Sequence, residues 1–371
     1  MSDGTRLGIL TYRPNHREIP KDSMADQQHN AYLPGYDQVK HHEWRTVENS
    51  AAYILPELQN RVAANPGLKL LDVGAGSGTI TVSIAKYMPE GHITACDLSE
   101  DIVSRASKHA EEVGVTNVTF REASVYELLQ TFGENVFDAV HAHQMLCHLD
   151  SPVQALAEML KVVKPGGVVA MREIDMRMWS IYPNTATMKA WLRVQLGVHA
   201  ASGGSNEAGP SLIAWAMKAG AKRENIRAGM GTWMYSTPGE RQVWGKSPLP
   251  HSRLLSEHSS PGFSAARWVW KCNNIRIAAW SAPVNATLRI AGAPSCGEVI
   301  RRLLQTRKAN MNYPGTSFRD RITNGEMRKK ALELQLASEA ELDEMGEEWQ
   351  RWIDTEDACC GTMHGEILIM K

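Results

Sequence analysis

The run Leu70-Leu71-Asp72-Val73-Gly74-Ala75-Gly76-Ser77-Gly78-Thr79 carries the clearest chemical pattern in the chain. It begins as an apolar strand, passes through three glycines and enters a helix. Glycine lets the backbone turn sharply and lets a ligand approach closely. The N-terminus of the following helix offers free N–H groups to a polar ligand. A loop that cradles a dinucleotide pyrophosphate spaces its glycines G-x-G-x-x-G. Here the spacing is G-x-G-x-G, with Thr79 where the third glycine of that loop would fall. The pattern points to a nucleotide-like ligand without a pyrophosphate; a helix-capping turn is the plainer reading.

Other reactive side chains follow at the ends of later strands. Asp97, followed by Leu98, closes the second predicted strand. A carboxylate there can accept both hydroxyls of a ribose; as the alternative it caps the next helix, a task Ser99 could perform instead. Glu122-Ala123-Ser124 follows the third strand, and His141, His143 and His148 lie in and just beyond the fourth. Imidazole titrates near neutral pH, which makes His148 the candidate general base, against a purely structural role.

These groups need a scaffold that gathers strand ends. Short apolar runs predict strands at 68–73, 92–96, 117–120, 137–142 and 168–172, with a turn at Pro165-Gly166-Gly167 before the last of them. Helical spacing predicts helices at 79–87, 99–113 and 152–163, and one from Glu43 that Pro56 kinks or ends near Leu55. Alternating β and α at this spacing implies a parallel sheet covered on both faces. Residues 176–223 read as mainly helical, with a break at Gly203-Gly204. A sixth strand is expected at 226–235. Ser338 and Glu341 form a capping-box signature for a helix to about residue 352, and 364–370 reads as a last, antiparallel edge strand.

The D-x-G-x-G-x-G pattern at Asp72–Gly78 resembles motif I of class I S-adenosylmethionine-dependent methyltransferases. The fourth strand with its exit loop, and the Lys164-Pro165-Gly166-Gly167 turn after it, resemble the region that follows in that family. The likeness is nearest to the ubiquinone/menaquinone-biosynthesis branch and its fungal relatives, and covers about 36–235 and 319–371. It implies an α/β fold: a Rossmann-like, doubly wound, seven-stranded, mostly parallel sheet with a helical lid and a disordered insertion. It implies S-adenosyl-L-methionine as cofactor and a small-molecule acceptor that is quinone-, sterol- or secondary-metabolite-like. In that family the glycine loop, here Gly74, Ala75, Gly76 and Gly78, abuts the amino-acid part of the cofactor. Asp72 then helps hold its ammonium, Asp97 and Leu98 meet the ribose, and His141 faces the cofactor from the fourth strand. The family's Asp beside the adenine is absent, which leaves Ala123 and Ser124 to contact that ring through their backbone. The run from His42 to Tyr53 resembles the branch's lid helix. Its Arg45 is placed to pair with the cofactor carboxylate, or else is a solvated helix charge. Gly203 to Gly209, Trp233 and Tyr235 fall where that branch builds its substrate pocket, with plain core as the alternative for the aromatics.

The bulk numbers fit an enzyme of this kind. A net charge of -1 argues against a general nucleic-acid binder. The six cysteines show no CxxC spacing. The N-terminus has no apolar core of a secretory signal, and no run reaches the ~20 apolar residues of a membrane helix, so a cytoplasmic protein without stable membrane insertion is expected. Residues 1–23 read as a disordered extension, 24–247 as the catalytic domain and 319–371 as its completion. Between them 248–318 holds nine basic and two acidic residues, which leaves the rest of the chain at -8. That segment reads as a disordered insertion or retained intron, with a basic arm for an acidic partner as the rival. The functional alternatives are an NAD(P)-dependent oxidoreductase and a non-catalytic S-adenosylmethionine-binding regulator. Oligomeric state is not legible.

Overall fold

The computed structural model describes residues 42–245 and 318–371. The expected N-terminal extension and all but the last residue of the expected insertion lie outside them. One sheet organises the fold, with strands in the order β3-β2-β1-β4-β5-β7-β6. The strands are β1 (Lys69–Val73), β2 (His92–Asp97), β3 (Val118–Glu122), β4 (Phe137–His143), β5 (Val163–Tyr182), β6 (Ile226–Tyr235) and β7 (Cys359–Met370). β1 to β5 run parallel, and β7 runs antiparallel to both β5 and β6. The central strands are buried along most of their length; β1 is mostly apolar, whereas β4 carries Asp138, His141 and His143 among its apolar residues.

The helices in chain order are α1 (Val47–Ser50), α2 (Leu55–Ala64), α3 (Thr79–Ala85), α4 (Glu100–Glu112), α5 (Leu128–Phe132), α6 (Pro152–Val162), α7 (Ala186–Ala201), α8 (Ala208–Lys218), α9 (Pro238–Gly245), α10 (Phe318–Thr323), α11 (Glu326–Glu333) and α12 (Glu339–Asp354). Ile54, Leu58, Leu70, Ile84 and Met88 form the core on one face of the sheet. Leu71, Val140, Leu156, Met159 and Leu212 form it on the other. A separate aromatic core joins α7 to the C-terminal helices. There Trp191 meets Trp349 at 4.7 Å and Phe318 at 5.0 Å, both edge-on. Phe318, last residue of the basic segment by composition, thus opens α10 as a buried anchor.

Several expectations need correction. Pro56 does not end a helix: it sits in the first turn of α2, where its missing N–H costs nothing. The predicted lid helix is a short α1, a 3-10 turn at Ala52–Ile54 and then α2. β5 does not stop at Arg172 but continues to Tyr182, because β7 supplies hydrogen-bond partners along that length across a bulge between Asp175 and Trp179. The Pro165-Gly166-Gly167 turn is an excursion within this strand, opposite Asp138. β7 begins earlier than expected and is not an edge strand; it lies between β5 and β6. The Ser338–Glu341 capping box forms in both directions, with Glu341 Oε2 accepting from Ser338 N at 2.7 Å.

The sheet changes direction of winding between β1 and β4. Ligands of open α/β sheets bind outside the carboxyl ends of strands at such a switch. Asp72 and His141 are register partners at that point.

Candidate functional site

The glycine loop opens this crevice. Gly74, Gly76 and Gly78 have φ of 69°, 55° and 73°, a region that strains other residues. Gly74 N and Ala75 N both donate to Cys96 O, at 2.8 and 3.0 Å, which ties the loop to the end of β2. The glycines differ in what surrounds them. A Cβ on Gly74 would lie 2.6 Å from Met145 Cγ, and one on Gly78 2.9 Å from Ala106 Cβ. A Cβ on Gly76 would meet nothing within 4 Å. Gly74 and Gly78 therefore serve packing, and Gly76 borders open space. Gly78→Ala is expected to lower unfolding free energy by about 2–4 kcal/mol, from left-handed strain plus overpacking. Gly76→Ala should cost only the strain, about 1–2 kcal/mol. Urea unfolding of the two variants checks the contrast.

Asp97 holds the loop from below. Its Oδ2 accepts from Gly76 N at 3.0 Å and its Oδ1 from Leu98 N at 2.9 Å. Burial pushes this carboxyl up from its ordinary range, against the pull of those N–H bonds. Ala123 N donates to Asp97 O at 3.0 Å, so the Ala123-Ser124 corner sits beside the same carboxylate. The Ser124 hydroxyl accepts from Tyr126 N at 3.3 Å and caps a short 3-10 turn.

Asp72, only 3% exposed, is bonded on both oxygens. Thr81 Oγ1 donates to Oδ2 at 2.5 Å, and His141 Nδ1 donates to Oδ1 at 2.8 Å. With its hydrogen on Nδ1, a neutral His141 carries a lone pair on Nε2. That atom is buried without a hydrogen-bond partner among the described residues. Asp72 thus ties the imidazole of β4 to the first turn of α3 and keeps a further lone pair on each oxygen.

Beyond His141 lies a buried cluster of polar and aromatic side chains. Ring centroids step from Tyr53 to His141 at 6.5 Å, to His143 at 6.3 Å, to Trp233 at 5.9 Å and to His364 at 4.4 Å. Arg172 joins from β5: it pairs with Glu366 at 3.1 Å and donates to Ser50 O at 2.8 Å. Its guanidinium stands 4.9 Å from the Trp233 ring, as does that of Arg45. Tyr53 OH, both His143 nitrogens, Gln144 Nε2, Arg172 Nε and His364 Nε2 are buried with no partner among the described residues. Buried polar atoms are otherwise nearly always paired. Burial, with Arg45 and other cationic neighbours, holds His143 far below the usual histidine range, and burial with Arg172 takes His364 down to about 2. Both rings are neutral at physiological pH.

Residues 42–54 pack against this cluster. Val47 N donates to Ser83 Oγ at 2.7 Å, and Trp233 Nε1 donates to Asn49 O at 3.0 Å. Arg45 is 5% exposed, and so is not the solvated charge of the plainer reading. Trp233 and Tyr235 belong to the core, with Trp44 edge-on to each.

The loop after β4 rests on Glu173, which is fully buried and accepts from Met145, Leu146 and Cys147 N at 3.0, 2.8 and 3.2 Å. His148 follows, with its Nδ1 3.4 Å from His199 Nε2. Burial, with His199 next and then Arg45 and Arg321, pushes His148 down to about 3.

Sequence reasoning missed Thr81, Arg172, Glu173, His364 and Glu366. A signal was present for two of them: Arg172-Glu173 interrupts an otherwise apolar run, and a buried strand admits charge only where it is used. No group of three or more His, Cys, Asp or Glu able to hold a metal occurs among the described residues. No helix among them is long and apolar enough to cross a membrane.

Comparison with known proteins gives a consistent picture. A family model described as a methyltransferase domain matches residues 64–214. The chain is 35% identical over 219 residues to an uncharacterized methyltransferase of Schizosaccharomyces pombe, covering 57% of this chain and 76% of that one. It is 31% identical over 140 residues to a sterol 24-C-methyltransferase of Gibberella zeae, covering 38% of this chain and 36% of that one. It is 37% identical over 103 residues to a ubiquinone biosynthesis O-methyltransferase of Methylococcus capsulatus, covering 28% of this chain and 42% of that one.

Proposed function

The chain belongs to the class I S-adenosylmethionine-dependent methyltransferases, and from that premise we propose that its acceptor is a small organic molecule bound at the buried polar cluster beneath residues 42–54. The observation that carries this reading is the set of buried, partnerless polar atoms on Tyr53, His143, Gln144, Arg172 and His364. Hydrogen-bonding groups left unmet inside a protein cost roughly 1–3 kcal/mol each unless a guest or water meets them. Their mixture of donors and acceptors suits a phenolic, enolic or quinol-type head group. The sterol and quinone chemistries named for two relatives also concern small organic molecules.

The site also fits the cofactor. Gly76 borders open space where a side chain would intrude, and His141 Nε2 is a buried atom without a hydrogen-bond partner among the described residues. In this reading the Gly74, Ala75, Gly76 and Gly78 backbone adjoins the amino-acid part, and His141, oriented by Asp72, accepts from the ammonium. Arg45 pairs with the carboxylate, Asp97 and Leu98 meet the ribose, and Ala123 and Ser124 border the adenine. When bound, S-adenosylmethionine supplies a methyl group already activated by its sulfonium. The protein's contribution is then to hold donor and acceptor in line, which can be worth several kcal/mol, and to exclude water. Neutral His143 and His364 bring no positive charge toward the sulfonium.

Thermal unfolding with S-adenosylmethionine, S-adenosylhomocysteine, NAD and NADP tests the cofactor half. Ligand at 100 times its Kd should add about 2.7 kcal/mol for the first two and nothing for the others. Transfer of labelled methyl from the cofactor to a panel of phenols and enols tests the acceptor half. Label appearing only in protein or RNA fractions would sink it.

A further inference from the structure

The buried polar cluster is floored by four adjacent strands. Register pairs His143 of β4 with Arg172 of β5, Arg172 with Glu366 of β7, and His364 of β7 with Gly231 of β6. A side chain at Gly231 would overlap Glu366 and Arg172, so the missing Cβ makes room for their ion pair. His143 is 9% exposed and His364 is fully buried, so a guest that reaches them must displace something. β4, β5 and β7 are laddered on both sides, and such strands yield last.

The cover is held differently. Residues 46–51 contain one helical turn, α1, closed by Ser50 N donating to Thr46 O and Ala51 N to Val47 O, each at 2.9 Å. A single turn does not sustain itself in water. Its place is set by the burial of Val47 and Ala51 and by three bonds from outside. Val47 N donates to Ser83 Oγ on α3 at 2.7 Å, Trp233 Nε1 to Asn49 O at 3.0 Å, and Arg172 to Ser50 O at 2.8 Å. Asn49 O and Ser50 O are consecutive carbonyls at the C-terminal end of α1, where a helix leaves such groups unmet and favours a cation. Both of their donors stand on the floor of the cluster, and guanidinium and indole brace each other at 4.9 Å. We infer that residues 46–51 are the gate of the acceptor site: they open as a unit to admit the guest, and Trp233 and Arg172 are the latch that closes them over it.

The hinge is the 3-10 turn Ala52–Ile54, which ends on fully buried Ile54 at the start of α2. Opening breaks the two latch bonds and the Val47–Ser83 bond and uncovers Val47. The closed form therefore dominates, and openings are local events of the kind that ligand-binding segments show. Ser83 lies on the helix that follows the glycine loop, so closure spans both halves of the site, with α3 on the cofactor side and β5 and β6 on the acceptor side. The nature of the guest rests on the proposed acceptor site, whereas the motion and the access it gives are measurable without any acceptor.

Amide hydrogen exchange of the full, ligand-free chain, read by mass spectrometry, follows the motion. Amides 47–51 should exchange through local opening, faster than those of β5 and α6. Trp233→Phe keeps an aromatic face and removes the N–H donor. It should speed exchange at 47–51 by about 2–12-fold, the loss of one neutral hydrogen bond, and leave α6 unchanged. Diethyl pyrocarbonate, a small electrophile that acylates neutral imidazole, reads access. Exposed His92 should react fast and His143 and His364 slowly, and Trp233→Phe should speed the latter two by the same factor as the exchange. If Trp233→Phe does not fold, Arg172→Lys, which keeps the charge without the fork, takes its place and should shift both readouts in the same direction. Exchange at 47–51 no faster than in β5 would overturn the gate, since the segment would then open only with the whole sheet. Histidines that stay protected while 47–51 opens would overturn it too, because the way in would lie elsewhere. Exchange unmoved by either variant would remove the latch. If both readouts behave as expected and no phenol or enol takes label, the gate stands and the acceptor class falls.

Discussion

Glu173→Ala should destabilise the protein by about 2–4 kcal/mol and lower its melting temperature by roughly 5–15 °C. Glu173 is fully buried, and its carboxylate is the acceptor for three successive N–H groups at 145–147. Truncation strands those donors, each at roughly 1–3 kcal/mol. Water entering the space recovers part of that, and relief of a buried charge recovers more, so the net falls below the sum. The same change frees the loop that carries His148 and presses Met145 against Gly74, so weaker cofactor binding should accompany it.

The pH dependence has a definite sign. Burial, opposed by the bonds from Leu146, Cys147 and Met145, raises the Glu173 carboxyl from 4.5 to about 7. Between those values the folded protein binds more protons at this site than the unfolded chain. Stability from this group is therefore present below about pH 4.5 and falls as pH rises toward 7. Glu173→Gln should flatten that slope while keeping one acceptor oxygen for the loop. Urea unfolding of wild type and Glu173→Gln at pH 5 and pH 7.5 checks it, and a wild-type advantage that grows with pH would contradict it.

What the sequence disclosed, and what it hid, follows from the range of each determinant. The glycine loop is local. Strand, turn and helix are encoded within ten residues, and so was the ligand class. The sixth strand was legible at its full extent, Ile226–Tyr235, because its bounds are set by Asn225 and Ser236-Thr237, which suit turns. The outer half of β5 was not. Residues 174–182 alternate apolar and polar in a way that also suits a helix, and only pairing with β7, nearly 180 residues later, decides for strand. β7 itself mimics an edge because it is half-buried along its length, although it has a neighbour on both sides.

The site divides in the same way. Asp72 was identified by motif, but its partner was assigned from the resemblance as the cofactor ammonium. In the structure its oxygens meet Thr81, across the glycine loop in the first turn of α3, and His141, its cross-strand neighbour. A register 69 residues wide is invisible in a linear pattern. The buried polar cluster was invisible for a related reason. Arg172, Trp233, His364 and Glu366 come from three adjacent strands, and each alone reads as an isolated polar or aromatic residue in an apolar context.

Asp97→Ala should weaken S-adenosylmethionine binding by about 10–150-fold, the loss expected when hydrogen bonds to a charged group worth about 1.5–3 kcal/mol are removed. Two effects combine. In the proposed site the carboxylate accepts from the ribose, so truncation removes that contact. The carboxylate also holds Gly76 N and Leu98 N, so the loop loses its brace and the Gly76 concavity is no longer held open. Asp97→Asn separates them. Its carbonyl oxygen can keep one loop N–H, but the amide that replaces the other oxygen cannot accept. If the brace dominates, Asn should recover a large share of the affinity; if the ribose contact dominates, Asn should resemble Ala. Thr81→Val gives the contrast, since it removes the hydroxyl that steadies Asp72 without touching the loop. It should cost less affinity than Asp97→Ala, because His141 still fixes the other Asp72 oxygen. Isothermal calorimetry with S-adenosylmethionine and S-adenosylhomocysteine ranks the three variants. Unchanged affinity in Asp97→Ala would remove Asp97 from the cofactor site and leave it as a brace for the glycine loop alone.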